Sequence, residues 1–432
     1  MAAARIRPLG TIRLAAGLRH SACAAARPIR GPRGEMRKRL LQLLGLLLLA
    51  GFGYLNVDYW RDPVYWRRWW DIVTHLEPDY MNFSPTAALG SDRPVALPRA
   101  AAGGRSISTD ALSAARDYAA AFDSFALEVF QAGRVQDEWY APGWTPQRLT
   151  QSQSMMKTIT GLMVGIAIAD GHIASVNDPI GRYIEEWRDD PRGAITIENL
   201  LQMSSGLGHY RFTLNPFARD SAFRFLNASD RTAVVLRTPL EWAPGSRFDY
   251  NDVAAQLAGI VVERASGRPY AGYLQARLWG PMGGQHAEVW LDREGGSVMT
   301  ACCMLASPRD WAKIGLLMKD RGRFNGRQIV PAAWIDAMLT PSPAYAGYGY
   351  FTWLAAGMGD RAAEPADESW QSEPMLDQGL FILQGHGGQR VYVSRARDLV
   401  IVRLGPFSGF QPLKPGWDNS FLPNTLIRGL KK

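Results

Sequence analysis

Residues 154–169 constrain the fold more than any other segment, because they combine the length of a helix with an almost wholly apolar composition. Lys157 is the only charged residue in this stretch, and Asp170 and Gly171 provide a stop signal directly after it. A helix that is apolar on all sides must lie inside the protein. The segment therefore predicts a central, buried helix that carries one lysine.

The elements predicted around this helix come from both ends of the chain. A helix is predicted over residues 109–122, and a strand over residues 124–131 leads into a turn at Gly133. Residues 195–345 look mainly helical, with long loops. Apolar, β-branched strands are predicted at residues 380–383, 389–394 and 398–404. We therefore predict an α+β body whose antiparallel sheet is built from both ends of the domain and flanked by helices, with a mainly helical region inserted.

The net charge of +8 is concentrated at the N-terminus. Residues 1–39 contain nine arginines and one lysine against a single acid, Glu35, which leaves residues 40–432 at −1. A protein that binds nucleic acid would carry a basic face on its folded domain. We therefore predict no nucleic-acid partner. We expect residues 1–35 to be a disordered basic leader or an over-extended start that carries no chemistry.

Residues 40–55 form a nearly unbroken apolar run that directly follows Arg37, Lys38 and Arg39. This is how an export signal begins, and the run is close to the lower limit of about 17 residues for a membrane span. No cleavage site follows, and the next segment is crowded with Tyr and Trp, which favour a membrane interface. We predict an uncleaved signal anchor over residues 36–57, with the body on the periplasmic side of a bacterial inner membrane.

The stretch between the anchor and the body is predicted to be a spacer. Residues 58–105 comprise an aromatic juxtamembrane segment and a linker. Within them, the part from residue 84 onwards is rich in Pro, Gly, Ala and Ser and is expected to pack loosely. Residues 106–432 are predicted to form the body.

Three cysteines are present: Cys23 in the leader and the adjacent pair Cys302 and Cys303. Adjacent cysteines rarely bridge each other, and no Cys or His spacing matches a zinc site. We therefore expect neither a structural disulfide nor a bound metal.

Ser154 and Lys157 form the one Ser-x-x-Lys pattern in the chain. Positions i and i+3 of a helix share a face, so the hydroxyl and the amine point the same way. A serine needs a base to become a nucleophile, and a lysine can be that base where burial lowers its pKa. The apolar neighbours that favour such a lowering are Met155, Met156, Ile159 and Leu162. A capping serine beside a solvated lysine is the alternative interpretation.

Five stretches, in this order, resemble landmarks of the serine β-lactamase-like family, which includes class C β-lactamases, DD-peptidases and related esterases and amide hydrolases. They are Ser154 to Lys157, residues 177–183, residues 196–207 with Ser204 in place of the usual Thr, residues 242–250, and the Gly-His-Gly-Gly-Gln of residues 385–389. The similarity covers about residues 106–425 and looks most like the branch that holds 6-aminohexanoate-dimer hydrolase and similar esterases.

The resemblance implies a serine hydrolase that acts on a small-molecule ester or amide through an acyl-enzyme, with no cofactor and no metal. Ser154 would be the nucleophile, and Lys157 and Tyr250 would transfer protons. The backbone N–H groups of Ser154 and Gln389 would form the oxyanion hole. Which of Lys157 and Tyr250 is the principal base stays open.

Two positions depart from the family pattern. The usual Tyr-x-Asn is replaced by Tyr250-Asn251-Asp252, and an ionised Asp252 cannot donate as an amide does, although it could hold Lys157 by charge. His386 stands where β-lactamases carry the Lys of Lys-Thr-Gly, and Gly388 matches the last glycine of that motif. A mostly neutral histidine weakens the contact expected for a substrate carboxylate.

Several alternatives remain open from the sequence. β-Lactamase or DD-peptidase activity is one, and an inactive penicillin-recognising-like binding module is another. Tyr250 and His386 are also compatible with a core tyrosine and an ordinary turn histidine. Four aromatic residues either wall an apolar pocket or pack in the core: Tyr345, Tyr348, Tyr350 and Trp353. An α/β-hydrolase is disfavoured because no Gly-x-Ser-x-Gly occurs.

Overall fold

The computed structural model describes residues 32–75, 84–211, 213, 215–358, 370–406 and 416–431. The prediction of a disordered leader therefore lies, up to residue 31, outside the described residues. The chain divides into two compact units, Met1–Trp60 and Arg61–Lys432.

The first unit contains α1 (Pro32–Leu55) and α2 (Val57–Trp60). Within α1, the stretch Glu35–Leu55 is 21 residues long and is apolar enough to cross a membrane. This coincides with the predicted anchor. A signal sequence would meet the same criteria of length and composition, so anchoring stays a prediction.

The second unit holds the remaining elements. Its helices are α3 (Pro63–Thr74), α4 (Thr109–Ala121), α5 (Met156–Ala169), α6 (Ile197–Leu201), α7 (Ala222–Asn227), α8 (Arg231–Val235), α9 (Asp252–Ser266), α10 (Tyr270–Leu274), α11 (Pro308–Lys319), α12 (Ala332–Met338), α13 (Ala355–Met358) and α14 (Phe421–Arg428). Its strands are β1 (Thr86–Leu89), β2 (Ala126–Gln131), β3 (Arg134–Tyr140), β4 (Thr150–Gln151), β5 (Ala287–Trp290), β6 (Leu305–Ala306), β7 (Arg323–Phe324), β8 (Arg327–Gln328), β9 (Trp353–Leu354), β10 (Phe381–Gly385), β11 (Gln389–Ser394) and β12 (Leu399–Leu404).

The main sheet has six strands in the order β3-β2-β12-β11-β10-β9, and all of its pairs are antiparallel. Strand β2, near the start of the second unit, pairs with β12 near its end, from Ala126 opposite Leu404 to Gln131 opposite Leu399. Apolar, β-branched residues suit this buried pleated surface. Helices α4 and α11 both pack on the sheet. The predicted α+β body, with a sheet taken from both ends of the domain, is confirmed.

Helix α5 is the interior helix that the sequence predicts. Its residues are buried from Met156 to Ala167, and α9 packs along it. A Cβ at Gly165 would lie 2.1 Å from Cδ1 of Trp334, so this close approach of α12 requires glycine. The helix proper begins at Met156 rather than at Ser154, because a 3₁₀ turn over Gln153–Met155 precedes it.

Parts of the predicted linker and helical region form strands. Thr86–Leu89 is β1, which pairs antiparallel with Ala287–Trp290 in a second sheet of order β1-β5-β6-β4. The segments concerned are two to four residues long, and so short a strand leaves little periodicity in the sequence.

The expectation of no structural disulfide is wrong, because Cys302 and Cys303 are bonded to each other. Both side chains are buried, and Cys303 has a φ of 78°, in the left-handed region of the backbone. The spacing of the two cysteines indicates only that such a pair is rare. It contains no information about the backbone conformation that the fold imposes at this point.

Candidate active site

Ser154 lies in the 3₁₀ turn that leads into α5, and its side chain is partly buried. The residue before it, Gln153, has a φ of 49°, which is uncommon for a residue other than glycine. Such strained positions persist only where the surrounding structure holds them, and they cluster at functional sites. The start of α5 is therefore a held conformation rather than a simple helix cap.

Lys157 is buried, and its ammonium group contacts three oxygen acceptors. Nζ donates to Oγ of Ser154 at 2.8 Å and to the carbonyl oxygen of Ala301 at 2.7 Å. It also lies 2.6 Å from Oδ1 of Asp252, a side chain that is 49% exposed. A lysine ammonium can only donate, and each of these three oxygens lies within hydrogen-bonding distance of it.

The charge on Lys157 is stabilised rather than suppressed. Burial lowers the pKa of Lys157, but the charge of Asp252 and then that of Tyr250, with hydrogen bonds to both, outweigh burial and raise the pKa above its usual value. The expectation that an apolar setting lowers this pKa is therefore wrong. Its neighbours on α5 are apolar as predicted, but a carboxylate from α9 reaches the same point.

Asn251 fixes the residues on both sides of it, a role that was not predicted from the sequence. Its side-chain oxygen caps α9 by accepting from the N–H of Val253 at 2.8 Å. Its amide nitrogen donates to the carbonyl oxygens of Leu207 at 2.8 Å and Gly208 at 3.0 Å. An Asn one residue before an acidic helix start is the sequence signal of such a cap. Asp252 thereby becomes the first residue of α9, where a negative charge is favoured.

Tyr250 lies against the lysine and against an aromatic cluster. Nζ of Lys157 is 4.9 Å from the centre of the Tyr250 ring. The Tyr250 ring also stacks on Trp353, with 5.6 Å between ring centres, and contacts Tyr348 edge-on, with 6.1 Å between ring centres. Tyr348 and Trp353 are buried, as is Tyr350, while Tyr345 is half-buried. Burial raises the pKa of Tyr348 well above its usual value. All four residues pack in or against the core, and Tyr348 and Trp353 hold Tyr250 in place.

The end of β10 lies directly beside the turn that carries Ser154. A Cβ at Gly385 would lie 2.3 Å from the carbonyl oxygen of Ser152 and 3.0 Å from Cβ of Gln153. The backbones can approach this closely only because residue 385 has no side chain. The turn between β10 and β11, residues 386–388, follows at once.

The residues predicted in this turn occupy different environments. His386 is exposed, and Gly388 has a φ of 76°, which glycine adopts at little cost. Gln389 is buried, and its side-chain amide exchanges hydrogen bonds with the backbone of Gly405 at 2.7 and 3.0 Å. That side chain is thus engaged within the sheet, and only the backbone N–H of Gln389 bears on the predicted oxyanion hole.

Two buried arginines, paired across β11 and β12, hold the carbonyl groups of this turn. Arg403 Nη1 donates to the oxygens of Gly387 and Gly388, both at 2.8 Å. Arg390 Nη1 donates to the oxygen of Gly385 at 2.6 Å. In a trans peptide the C=O and the following N–H point in opposite directions. Arg403 therefore directs the N–H of Gln389 away from itself. The sequence signal that was missed is an arginine within a strand that is otherwise apolar.

The structure thus brings together Ser154, Lys157, Tyr250 and Asp252, and it places Gly385 against the turn before Ser154. Over the ranges that the structure describes, no group of three or more His, Cys, Asp or Glu side chains is placed to hold a metal ion. The arrangement provides a hydroxyl, a buried cation and a phenol around one point. That set of groups suits acyl transfer through a serine.

Comparison with known proteins gives one family. The β-lactamase family profile matches residues 109–405. The 6-aminohexanoate-dimer hydrolase of Paenarthrobacter ureafaciens is 24% identical over 223 residues, which are 50% of this chain and 56% of that protein. Esterase EstB of Burkholderia gladioli is 30% identical over 141 residues, 30% of this chain and 36% of that protein. The matches therefore span only part of the length of these relatives.

Solved structures agree on the fold. A Bacillus anthracis protein assigned as a 6-aminohexanoate-dimer hydrolase superposes with a TM-score of 0.63 and 19% identity, covering 80% of this chain and 90% of that one. Identity at this level bears on the fold alone.

Proposed function

We propose that this chain, which belongs to the β-lactamase family, is a serine hydrolase that cleaves an ester or an amide through an acyl-enzyme on Ser154. The observation that carries the proposal is the contact of 2.8 Å between Ser154 Oγ and a buried Lys157 that is also held by Asp252. Burying a lysine on an interior helix costs free energy of folding, so its presence there calls for a functional reason. Activation of a neighbouring hydroxyl supplies one.

In the proposed acylation, Lys157 and Tyr250 act as one proton-transfer pair. The reactive form of the pair lacks one proton. Asp252 and Tyr250 raise the pKa of Lys157 and favour its charged form, so the proton acceptor is the pair rather than Lys157 alone. As Ser154 Oγ bonds to the substrate carbonyl carbon, its proton moves to this pair. The carbonyl electrons move to oxygen, where the backbone N–H groups of Ser154 and Gln389 stabilise the charge.

The intermediate then collapses and the cycle closes. The C–O or C–N bond to the leaving group breaks, the leaving alcohol or amine takes the proton from the pair, and the acyl group stays on Ser154. In deacylation, water attacks the ester carbon and gives a proton to the same pair. Ser154 Oγ leaves and recovers that proton. One water is consumed, and one acid and one alcohol or amine are formed.

The substrate class rests on the relatives and on the site. The relatives include an esterase and a 6-aminohexanoate-dimer hydrolase. Asp252 replaces an amide donor, and the exposed His386 replaces a lysine that would bind a substrate carboxylate. Both changes disfavour a β-lactam or a D-Ala-D-Ala peptide relative to a simple ester or amide.

We also propose that α1 is an uncleaved anchor that holds the second unit on the periplasmic side of a bacterial inner membrane. Its support is the stretch Glu35–Leu55, in which the basic residues Arg37, Lys38 and Arg39 directly precede the apolar run of residues 40–55. Protease added to intact spheroplasts is expected to degrade the body. Protection of the body until the membrane is lysed would contradict this orientation.

The enzymatic proposal is tested on the full chain in detergent with a fluorophosphonate probe and a short-chain p-nitrophenyl ester. Ser154→Ala is expected to lose both the adduct and the turnover. Ser152→Ala is the matched control, because Ser152 Oγ donates to the carbonyl of Gln153 instead of contacting Lys157. It should keep both. Nitrocefin separates lactamase from esterase activity. A wild type that neither labels nor turns over would favour a binding module.

A further inference from the structure

Residues 301–304, hereafter the cysteine strap, lie alongside the turn that carries Ser154. The N–H of Cys303 donates to the carbonyl oxygen of Gln153 at 3.0 Å, and the N–H of Ser152 donates to the oxygen of Met304 at 2.9 Å. The strap continues into β6, which pairs with β4 just before Ser152. Backbone on both sides of Gln153 is therefore tied to the strap.

The strap also contacts the lysine directly. The carbonyl oxygen of Ala301 accepts from Nζ of Lys157 at 2.7 Å. Upstream of Ala301, the preceding residue Thr300 is fixed to two helices. Its Oγ1 donates to Ala255 of α9, and its carbonyl accepts from Thr160 of α5 at 2.9 Å. Thr300 thus anchors the N-terminal end of the strap, and only residues 301–304 can move.

Two left-handed residues meet at this contact. Gln153 has a φ of 49° and Cys303 a φ of 78°, and one donates its N–H to the carbonyl of the other. Neither is glycine, so each conformation must be imposed by its surroundings. The bond between the sulfurs of Cys302 and Cys303 closes a small ring around the peptide that joins them. A ring of this kind restricts the backbone of Cys303.

We propose that the Cys302–Cys303 disulfide is a positioning element of the active site, whose reduction displaces the contacts that the strap makes with Lys157 and Gln153. A dithiol reductant transfers two electrons and two protons to the S–S bond and becomes a disulfide. A phosphine with one water does the same and becomes the phosphine oxide, and in both cases two thiols form. With the ring open, Cys303 is free to leave the left-handed region. The N–H of Cys303, which donates to Gln153, and the carbonyl of Ala301, which accepts from Lys157, then lose their fixed positions. This inference rests on the proposed serine hydrolase function.

The first test follows the sulfur chemistry and the activity separately. It uses the full chain with Cys23→Ser, so that only the strap cysteines remain. Alkylation by iodoacetamide in denaturant, read by intact mass, should add no group before treatment with a phosphine reductant and two groups after it. The kcat for the p-nitrophenyl ester should fall by about tenfold or more after reduction, with KM changing less, and should recover after oxidation by diamide.

The second test separates the backbone conformation from the sulfurs. Cys302→Ala with Cys303→Gly removes the bond but leaves a residue that adopts positive φ readily. Cys302→Ala with Cys303→Ala removes the bond and disfavours that conformation. The glycine variant should be about tenfold more active than the alanine variant. Neither variant should respond to reductant, and the two should share the same circular dichroism spectrum.

Three outcomes would overturn the inference: alkylation of both cysteines in the untreated protein, full activity after both thiols have been freed, or equal activity of the glycine and alanine variants. If the reductant fails to open the buried bond, the comparison of the two variants decides alone. Because the alkylation result does not depend on turnover, an inactive protein would defeat the proposed hydrolase function without altering the evidence for the disulfide.

Discussion

Substituting Gly385 with alanine tests whether the close approach of β10 to the nucleophile turn matters for catalysis. The added Cβ would lie 2.3 Å from the carbonyl oxygen of Ser152. An ordinary contact needs about 1 Å more, and Gly385 is also tied to Arg390 by its own carbonyl at 2.6 Å. The strand or the turn must therefore shift by about 1 Å.

The size of the effect follows from that shift. A displacement of about 1 Å in a catalytic group costs about 100-fold in rate, which corresponds to about 2.7 kcal/mol of barrier. Overpacking of this kind also costs about 1–3 kcal/mol of stability. We expect Gly385→Ala to fold, to lose about 100-fold in kcat for the p-nitrophenyl ester, and to label slowly with the fluorophosphonate.

Gly193→Ala is the matched control for this loss of activity. Its added Cβ would lie 2.0 Å from the carbonyl oxygen of Trp187, so the same substitution meets the same kind of backbone atom. Gly193 lies in the 3₁₀ turn Pro191–Ala194, and the atoms nearest to its added Cβ belong to Trp187 and Gly181, neither of which is proposed for catalysis. It should lose stability and keep its kcat. A Gly385→Ala protein with kcat within about threefold of wild type would refute the reasoning.

Two predictions concern pH. Asp252→Asn removes the charge that raises the pKa of Lys157, so the Lys157–Tyr250 pair should lose its proton at lower pH. The acid limb of the pH profile of kcat/KM should therefore move to lower pH. Asp249→Asn, which removes a carboxylate beside His209, is the control and should leave that limb in place. Burial raises the pKa of Glu128 to about 7, so its contribution to stability is full below its usual pKa of 4.5 and is lost as the pH rises through about 7. When the free energy of unfolding is measured in urea, the difference between Glu128→Gln and wild type should shift by up to about 3 kcal/mol in favour of the variant between pH 4.5 and pH 8. The same pH dependence of unfolding in both proteins would contradict the assignment.

The parts of the fold that the sequence predicts are those with long, regular patterns. Helix α5 is recognisable because twelve successive residues, Met156 to Ala167, are buried and nearly all apolar. Strands β11 and β12 each bury six residues in a row. Strand β1 has four residues and a partner about 200 positions away in β5, so nothing local identifies it.

The electrostatics of the site depend on contacts between distant segments, and this is where prediction from sequence fails. The sequence indicated that Asp252 could hold Lys157 by charge. The apolar neighbours on α5 nevertheless predicted a lowered pKa for this lysine, and the charge of Asp252 from α9 reverses that direction. In the cysteine strap, Cys303 contacts Gln153, which is 150 positions earlier in the chain. The disulfide of the strap was not predicted from the sequence. Arg403 acts on the β10–β11 turn across the sheet, through carbonyl groups that a motif does not reveal.

The most direct test of the central claim is to trap the acyl-enzyme itself. Wild-type protein is mixed with a slowly deacylating p-nitrophenyl ester, quenched in acid within one turnover, and its intact mass is measured before peptide mapping. We predict a mass increase equal to one acyl group, located on the peptide that contains Ser154, with release of one equivalent of p-nitrophenol. Turnover with no adduct, or an adduct on another residue, would contradict the account.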